Sequence, residues 1–267
     1  MRSGPLIILG AGYTGRHLYA LAKATGLHVL ASSREPARHL TDAAPADRIE
    51  FALTRRETWK NILLHDANLL WCFPAQPLDQ VQAFAQALTA PPRRMIVLGS
   101  TSAYDVPNQS NEYPPPWLDE AAPFDLTKPR VQGEEYLRQQ HGAIVLRVAG
   151  IYGPGRNPLD WIRQGRVGPS RKYVNLIHVE DLAEICLLTL ERGRPGEVYN
   201  VSDGTPRTWR EICEEAQRRC RVVYSATTED WRAGKRIATT TLRDQLGNVI
   251  RHPDLYAELE NLERGRR

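Results

Sequence analysis

Cysteine is scarce in this 267-residue sequence, and no long apolar run occurs. The four cysteines (Cys72, Cys186, Cys213 and Cys220) form no C-x-x-C pair, and no Cys/His cluster has metal-ligand spacing. The sequence therefore predicts no metal site and fits a reducing compartment. No apolar run is long enough to span a membrane, and the N-terminus lacks the layout of a cleavable signal. We expect a cytoplasmic protein without a membrane segment.

Charge of one sign is also lacking. The 35 Lys and Arg residues nearly balance 31 Asp and Glu residues, which leaves a formal charge of +4. No basic stripe with interleaved aromatic residues is present, so the sequence does not predict nucleic-acid binding. A hydrophobic content of 42% and a charged content of 25% are ordinary for a globular chain.

Short apolar runs alternate with helical periodicity in the first half of the chain. The pattern predicts strands at residues 6–9, 28–31, 49–53, 68–73, 95–98 and 144–146. Helices are predicted at residues 14–24, 58–65 and 81–88. Strands that alternate with helices indicate a parallel sheet covered on both faces. The expected fold class is therefore α/β, a Rossmann-type doubly wound parallel sheet.

The pattern changes after residue 150. Helices are predicted at residues 179–191 and 208–219, and the second opens with the capping-box pattern of Thr208 and Glu211. We expect a nucleotide domain in residues 1–150, with further core elements from 175–200, and a smaller C-terminal substrate lobe in 151–267. Residues 100–124 are rich in proline and lack periodicity, which is typical of a functional loop.

A glycine-rich motif, Gly-Ala-Gly-Tyr-Thr-Gly at residues 10–15, follows the first predicted strand and opens the first predicted helix. Gly10 permits the tight turn, Gly12 lets the backbone approach a pyrophosphate, and Gly15 lets the helix pack closely on the strand. The helix N-terminus then offers free N–H groups to an anion. The motif predicts a dinucleotide site, with Tyr13 and Thr14 in the same loop.

The end of the second strand distinguishes NAD from NADP. A ribose 2′-hydroxyl favours a carboxylate at this position, and a 2′-phosphate favours arginine. Ser33 and Arg34 occupy it, and Arg38 follows one helical turn later. These residues favour NADP, whereas a small shift in register would place Glu35 there and favour NAD.

Five further segments together resemble the extended short-chain dehydrogenases and sugar-nucleotide epimerases. They read G-S-T-S-A-Y at 99–104, D-E-A-A-P at 119–123, L-R-V-A-G-I-Y-G-P-G-R at 146–156, N-L-I-H-V-E-D-L-A at 175–183 and G-E-V-Y-N-V at 196–201. The resemblance covers nearly the whole chain. It implies that Phe73 and Pro74 line the adenine and ribose, that Ser100 borders the cofactor, and that Thr101 is the helper hydroxyl.

The same resemblance implies a catalytic Tyr and Lys, spaced Tyr-x-x-x-Lys, on the helix that carries Glu134. Anchoring on Glu134 puts Leu126 at the Tyr position and Arg130 at the Lys position. Arg130 could bind the ribose, but a guanidinium does not titrate near neutral pH. This departure resembles atypical members of the superfamily.

Several residues are candidates for the missing chemistry, each with a structural alternative. Tyr104 is the first candidate for a proton donor, or else a packed aromatic residue. His178 has a pKa suited to acid–base catalysis, or else a structural role. Four residues are candidates for substrate contacts, with packing or ion pairing as the alternatives: Ser102, Arg147, Tyr152 and Arg156.

Two functional hypotheses follow. The first is an NAD(P)-dependent oxidoreductase or epimerase-like enzyme, monomeric or homodimeric, that acts on a small carbonyl or sugar-like substrate. The second is a non-catalytic NADP(H)-binding redox sensor, which the missing Tyr and Lys favour.

Overall fold

The computed structural model describes residues 4–62, 66–88, 90–107, 112–224, 233–247 and 250–265. The first half contains β1 (Leu6–Leu9), α1 (Tyr13–Ala24), β2 (Val29–Ser33), α2 (Pro36–His39), β3 (Arg48–Glu50), β4 (Asn68–Trp71), α3 (Leu78–Ala87), β5 (Arg94–Ser100), β6 (Trp117–Leu118), α4 (Pro129–His141) and β7 (Ile144–Val148). Short 3-10 helices occur at Pro45–Asp47, Arg56–Asn61 and Thr101–Tyr104.

The second half mixes short strands with helices. It contains β8 (Gly150–Tyr152), α5 (Pro158–Arg163), β9 (Tyr173–Val174), β10 (Leu176–His178), α6 (Val179–Arg192), β11 (Val198–Val201), β12 (Arg207–Thr208), α7 (Trp209–Cys220), β13 (Arg236–Ile237), α8 (Thr240–Leu246) and α9 (Leu255–Arg264).

Seven strands form one parallel sheet in the order β11-β7-β5-β4-β1-β2-β3. The strand order reverses at β1, and such a switch point is where open α/β sheets bind ligands. The strands are buried because helices cover both faces: Ile8, Leu70 and Ile96 pack on one side, and Ile7, Leu69 and Val97 on the other. The expected Rossmann-type fold is confirmed.

The smaller lobe has its own apolar core, in which Leu159, Trp209, Ile212 and Leu259 are buried together. Helix α6 and strand β11 return to the sheet, because α6 packs on α1 and β11 pairs with β7. The lobe therefore lies over the carboxyl edge of the sheet without a single boundary in the chain.

Two sequence expectations differ from the structure. The helix predicted at 58–65 is a 3-10 helix at Arg56–Asn61, and residues 63–65 lie outside the described part of the chain. Residues 100–124 are not without structure: they begin with the Thr101–Tyr104 turn and contain β6, which pairs with β13. Residues 108–111 of that segment lie outside the described residues.

Within the described ranges, no helix is both long enough and apolar enough to cross a membrane.

Candidate cofactor and substrate site

The glycine-rich loop has the geometry that anion binding requires. Gly10 has a φ of +78°, and a Cβ there would lie 2.6 Å from the Phe73 ring. A Cβ on Gly12 would have no atom within 4 Å, so this residue faces open space. Among the described residues, no side chain caps helix α1 and its first turn carries no acidic group. Its N–H groups therefore remain available to an anion.

A cavity of about 690 Å³ begins at this loop and continues along the first turns of α1. Its size is in the range of cofactor pockets. The lining residues include Gly12, Tyr13, Arg16, Leu40 and Pro154. Thr14 and Gly15 are buried beneath the loop, so they position it and do not line the cavity.

The end of β2 places basic groups beside the loop. Ser32 is buried and accepts a hydrogen bond from the Gly10 N–H at 3.0 Å, which holds the loop against the strand. Ser33 Oγ lies 2.9 Å from His39 Nδ1. Arg34 is exposed and forms no ion pair with the residues that the structure describes. Arg38 pairs with Glu35 at 3.4 Å.

The segment after β4 is the cofactor wall that the family resemblance implies; it packs against the glycine-rich loop and does not line the cavity. Phe73 is half-buried, packs on Trp71 with ring centroids 4.9 Å apart, and lies against Gly10. Pro74 is exposed beside it. This wall is fixed by helix α4, because a Cβ on Gly133 would lie 1.9 Å from the Ala75 carbonyl oxygen.

The turn after β5 brings the predicted hydroxyl groups to the carboxyl edge of the sheet. Ser100 Oγ accepts a hydrogen bond from the Ser102 N–H at 3.1 Å, so it begins the turn. Thr101 is nearly buried and lines a second cavity, of about 340 Å³. Lys128 Nζ donates to the carbonyl oxygens of Ser102 and Asp105 at 2.6 and 2.9 Å. Ser102 thus binds Lys128 through its backbone and does not line that cavity.

This second cavity is the candidate substrate cleft. Trp161, Tyr173 and Trp209 line it, together with Lys172 and Lys235. Lys235 Nζ donates to the Thr101 carbonyl oxygen at 3.0 Å and pairs with the Asp105 carboxylate. The cleft therefore joins an apolar, aromatic wall from the lobe to a hydroxyl group and an ammonium group at the end of β5.

The residues at the family's Tyr and Lys positions do not supply a titratable group. The residue before a proline disfavours helical backbone, and helix α4 accordingly begins at Pro129. Leu126 therefore lies in the turn before the helix, where it is 55% exposed. Arg130 is directed back into the fold: its Nε donates to Glu134 Oε1 at 3.0 Å. In this conformation Arg130 does not line either cavity.

One Tyr-x-x-x-Lys spacing does occur, at Tyr19 and Lys23 on helix α1. Tyr19 OH donates to Asp47 Oδ2 at 2.7 Å, and Lys23 Nζ pairs with the same oxygen at 2.9 Å. Both side chains thus join α1 to the segment before β3. They do not replace the missing pair at the substrate cleft.

The structure does not support Tyr104 as a proton donor that faces a substrate. Its side chain is 1% exposed, and its hydroxyl donates to Asn200 Oδ1 at 2.7 Å and accepts from Arg147 at 2.9 Å. Arg147 is also buried, and its guanidinium stacks over Phe124 at 4.2 Å and lies 3.7 Å from Glu135. The structural alternative fits both residues, because a buried arginine must be paired.

Tyr152 and His178 pack together behind the cleft. Their ring centroids are 5.2 Å apart, and both side chains are buried. His178 caps helix α6 by accepting the Glu180 N–H, and it stacks on His252 at 3.9 Å. Burial and the neighbouring His252 lower the pKa of His178 below its usual value. These contacts correspond to a structural role for both residues.

His178 also belongs to a cluster of side chains that could bind a metal ion, and the sequence did not predict this cluster. Ligand atoms of His178, Glu180 and His252 lie within 4.8 Å of one another. His252 Nδ1 contacts Asp181 Oδ1 at 2.9 Å, so one carboxylate already holds that ring.

Arg156 lies nearer the cofactor loop than the substrate cleft. Its guanidinium carbon is 5.2 Å from the centre of the Tyr13 ring. Tyr13 OH is buried, and burial raises its pKa to about 12. Arg156 therefore adds positive charge beside the pyrophosphate loop, and the expectation of a substrate contact is revised.

Comparison with known proteins agrees with this geometry. The model of the "NAD dependent epimerase/dehydratase family" matches residues 78–202. A 4-hydroxy-2-methyl-3-oxo-4-farnesyl-3,4-dihydroquinoline-1-oxide ketoreductase of Stigmatella aurantiaca is 29% identical over 231 residues, covering 74% of this chain and 67% of the ketoreductase.

Solved structures match over the full length. A putative NAD-dependent epimerase/dehydratase of Methylobacillus flagellatus is 24% identical, with a TM-score of 0.79 over 100% of this chain and 99% of that one. A short-chain dehydrogenase/reductase superfamily protein of Agrobacterium tumefaciens, solved with bound NAD, is 13% identical, with a TM-score of 0.79 over 98% of each chain.

Fold, motifs and the partial family match together support a resemblance to the extended short-chain dehydrogenases/reductases. The chain is thus similar to the NAD-dependent epimerase/dehydratase family over residues 78–202, and it shares the fold of these solved structures over nearly its whole length.

Proposed function

We propose that this chain is an NADP(H)-dependent oxidoreductase that reduces a small carbonyl substrate. The observation that carries the proposal is the cavity that begins at the uncapped α1 N-terminus and the open Gly12, with the exposed Arg34 directly after the adjoining strand β2. Pyrophosphate would lie on the α1 N–H groups, and the nicotinamide would extend toward Thr101 at the end of β5. When bound, the cofactor supplies hydride.

The charges at the end of β2 favour NADP over NAD. Glu35, which would favour NAD, pairs with Arg38. Arg34 extends from the strand end without such a partner among the described residues, and Arg16 binds the His39 carbonyl oxygen nearby. A guanidinium binds a phosphate through two charge-assisted hydrogen bonds. Arg34 therefore supports the proposal of a 2′-phosphate site here, whereas Arg16 lies 3.9 Å from the Asp42 carboxylate.

The cleft fits a small molecule with an apolar body. Its volume of about 340 Å³ is at the lower end of ligand pockets. Trp161, Tyr173 and Trp209 supply flat apolar surface, and Thr101 supplies a hydroxyl group at the carboxyl edge of the sheet. The similarity to a ketoreductase supports a carbonyl as the reacting group.

Calorimetric titration of wild-type protein and Arg34→Ala with NADPH and NADH tests the cofactor assignment. We expect the NADPH Kd to rise about 10- to 100-fold in the variant, since hydrogen bonds to a charged group contribute about 1.5–3 kcal/mol. The NADH Kd should stay within about twofold. Arg243→Ala, an exposed arginine on α8, is the control. An equal loss for both dinucleotides would contradict the NADP assignment.

Turnover is tested with phenanthrenequinone, p-nitrobenzaldehyde and cyclohexanone, by following NADPH absorbance. Reduction of any of these would support the oxidoreductase.

A second candidate is a redox sensor, which the exposed Leu126 at the family's Tyr position favours. A sensor would bind NADPH and NADP⁺ with different affinities and reduce none of the carbonyls.

A further inference from the structure

Lys235 is a lysine of the small lobe whose side chain reaches the end of strand β5. Its ammonium group donates to the Thr101 carbonyl oxygen at 3.0 Å and pairs with Asp105. The side chain is 16% exposed, and it lines the cleft beside Thr101. It therefore lies where the family's Tyr and Lys would otherwise be needed, although it comes from a different part of the chain.

The backbone around Lys235 is held on both sides. The Lys235 carbonyl oxygen accepts from the Asn175 side chain at 2.9 Å, and the N–H of Ile237, two residues later, donates to Asn175 Oδ1 at 2.9 Å. Gly234 has a φ of +77°, and a Cβ there would lie 2.1 Å from the Tyr173 carbonyl oxygen. Only glycine permits this close approach, which brings Lys235 across to the sheet.

The surroundings of the ammonium group suit proton transfer. Burial lowers the pKa of Lys235 below that of an exposed lysine, Asp105 opposes this shift, and Lys128 and Lys172 reinforce it. Asp105, Lys172 and Tyr173 are the other titratable side chains among the described residues that line the cleft. A lysine whose pKa moves toward neutrality can act as an acid and base, which Arg130 cannot.

We propose that Lys235 is the proton donor of this cleft and replaces the Tyr-x-x-x-Lys pair. This role rests on the proposed carbonyl reduction. The carbonyl carbon accepts a hydride from the reduced nicotinamide, and its π electrons move to the oxygen. That oxygen takes a proton from Lys235 Nζ, so C–H and O–H bonds form and an alcohol leaves. The carbonyl is reduced, the nicotinamide is oxidised, and solvent reprotonates the neutral amine.

Lys128 provides a matched control for this role. It too donates to the backbone of the turn after β5, at Ser102 and Asp105, and it pairs with Asp125 at 3.7 Å. It does not line the cleft. A merely structural contribution to the turn should therefore be similar for the two lysines, whereas proton donation belongs to Lys235 alone.

The test compares Lys235→Met, Lys235→Arg and Lys128→Met in NADPH binding and in reduction of the same three carbonyls. We expect Lys235→Met to lose about 10²- to 10⁴-fold in kcat, with the NADPH Kd within about twofold. Lys235→Arg should not restore turnover, because it keeps the charge but cannot release the proton. Lys128→Met should lose far less turnover than Lys235→Met, because it removes a charge beside the proton donor and not the donor itself.

Two further readouts do not depend on loss of activity. Ethylammonium should restore part of the turnover of Lys235→Ala, which a structural role does not predict. Reductive methylation followed by peptide mass spectrometry should label Lys235 at a lower pH than Lys128.

Failure of the donor role can be distinguished from failure of the proposed reductase. An active wild type with an equally active Lys235→Met, or a Lys235 that resists labelling when Lys128 is methylated, would overturn the donor role alone. A wild type that binds NADPH and reduces none of the carbonyls would overturn the proposed reductase and this role with it.

Discussion

The cofactor end and the substrate cleft of this molecule are built in different ways. The cofactor end comes from short contiguous segments: the glycine loop at residues 10–15, the end of β2, and Phe73 after β4. The cleft combines Thr101, Tyr173, Trp209 and Lys235, which are far apart in the chain. Local motifs therefore define the cofactor end, and tertiary packing defines the cleft.

The difference shows which chemistry is replaceable. Pyrophosphate binding uses backbone N–H groups, and glycine is required wherever a Cβ would occupy the contact. A proton donor needs only a titratable group at the correct place, and several elements can supply one. Leu126 and Arg130, at the positions that the family resemblance assigns to Tyr and Lys, therefore do not by themselves exclude this chemistry.

The largest expected effect lies at the cofactor end. Gly133→Ala would place a Cβ 1.9 Å from the Ala75 carbonyl oxygen, so helix α4 or the cofactor wall must move. We expect a loss of about 3 kcal/mol in the free energy of unfolding, measured by urea denaturation. Overpacking should thus exceed the gain of about 1 kcal/mol that alanine gives a helix interior. A variant as stable as wild type would contradict the close packing.

The Tyr104→Phe variant tests whether the Tyr104 hydroxyl group stabilises the fold or takes part in catalysis. The change removes a buried hydroxyl group that bonds to Asn200 and Arg147. Leaving these partners unsatisfied should cost about 1–3 kcal/mol of stability, measured by thermal and urea unfolding. Turnover per folded molecule should be unchanged, and a selective loss of kcat at constant stability would restore Tyr104 as the proton donor.

His178 gives the molecule a pH-dependent stability. Because burial and His252 lower its pKa, the unfolded chain binds this proton more readily than the folded one. The stability that neutral His178 contributes is complete above the ordinary histidine pKa of 6.5. It is lost as the pH falls toward the lower pKa of His178 in the folded protein. The free energy of unfolding should therefore decrease below about pH 6.5.

His178→Asn is the matched variant for this prediction, since asparagine also caps a helix but does not titrate. It should flatten the decrease in stability between about pH 7 and about pH 5. An unchanged slope would show that other groups dominate.

The smallest expected effect is local to the lobe. Thr208 and Glu211 form a complete capping box at the start of α7. Thr208→Ala should cost about 1 kcal/mol, measured by urea unfolding. The exposed Thr54→Ala serves as a control, and equal small losses for both would remove the special role of the cap.

The sheet and the glycine loop could be predicted because apolar runs and glycine spacing express them locally. The capping box at Thr208 was predicted for the same reason and is confirmed. Element ends were less accurate: β4 ends at Trp71, two residues before the predicted end. After Trp71 the chain turns to form the cofactor wall. No hydrophobic periodicity in the sequence predicts this turn.

The cleft could not be assembled from the sequence. The Lys235-Arg236 pair resembles a loop of atypical superfamily members, but nothing in the sequence places it at the end of β5; the preceding Gly234, whose positive φ allows the approach to Tyr173, is a further local signal. The two alternatives for Tyr104 could not be separated from the sequence, because its motif position places it at the end of β5, whereas the buried Arg147 and Asn200 that bind it come from β7 and β11.

Calorimetric titration of wild-type protein and Gly12→Ala with NADPH tests the central claim most directly. A Cβ at Gly12 meets no atom of the protein within 4 Å, so the variant should fold normally. It should nevertheless bind NADPH at least about tenfold more weakly, because the new methyl group occupies the place of the pyrophosphate. Wild-type protein that binds no NADPH at millimolar concentration, or a variant that binds as tightly as wild type, would contradict the account.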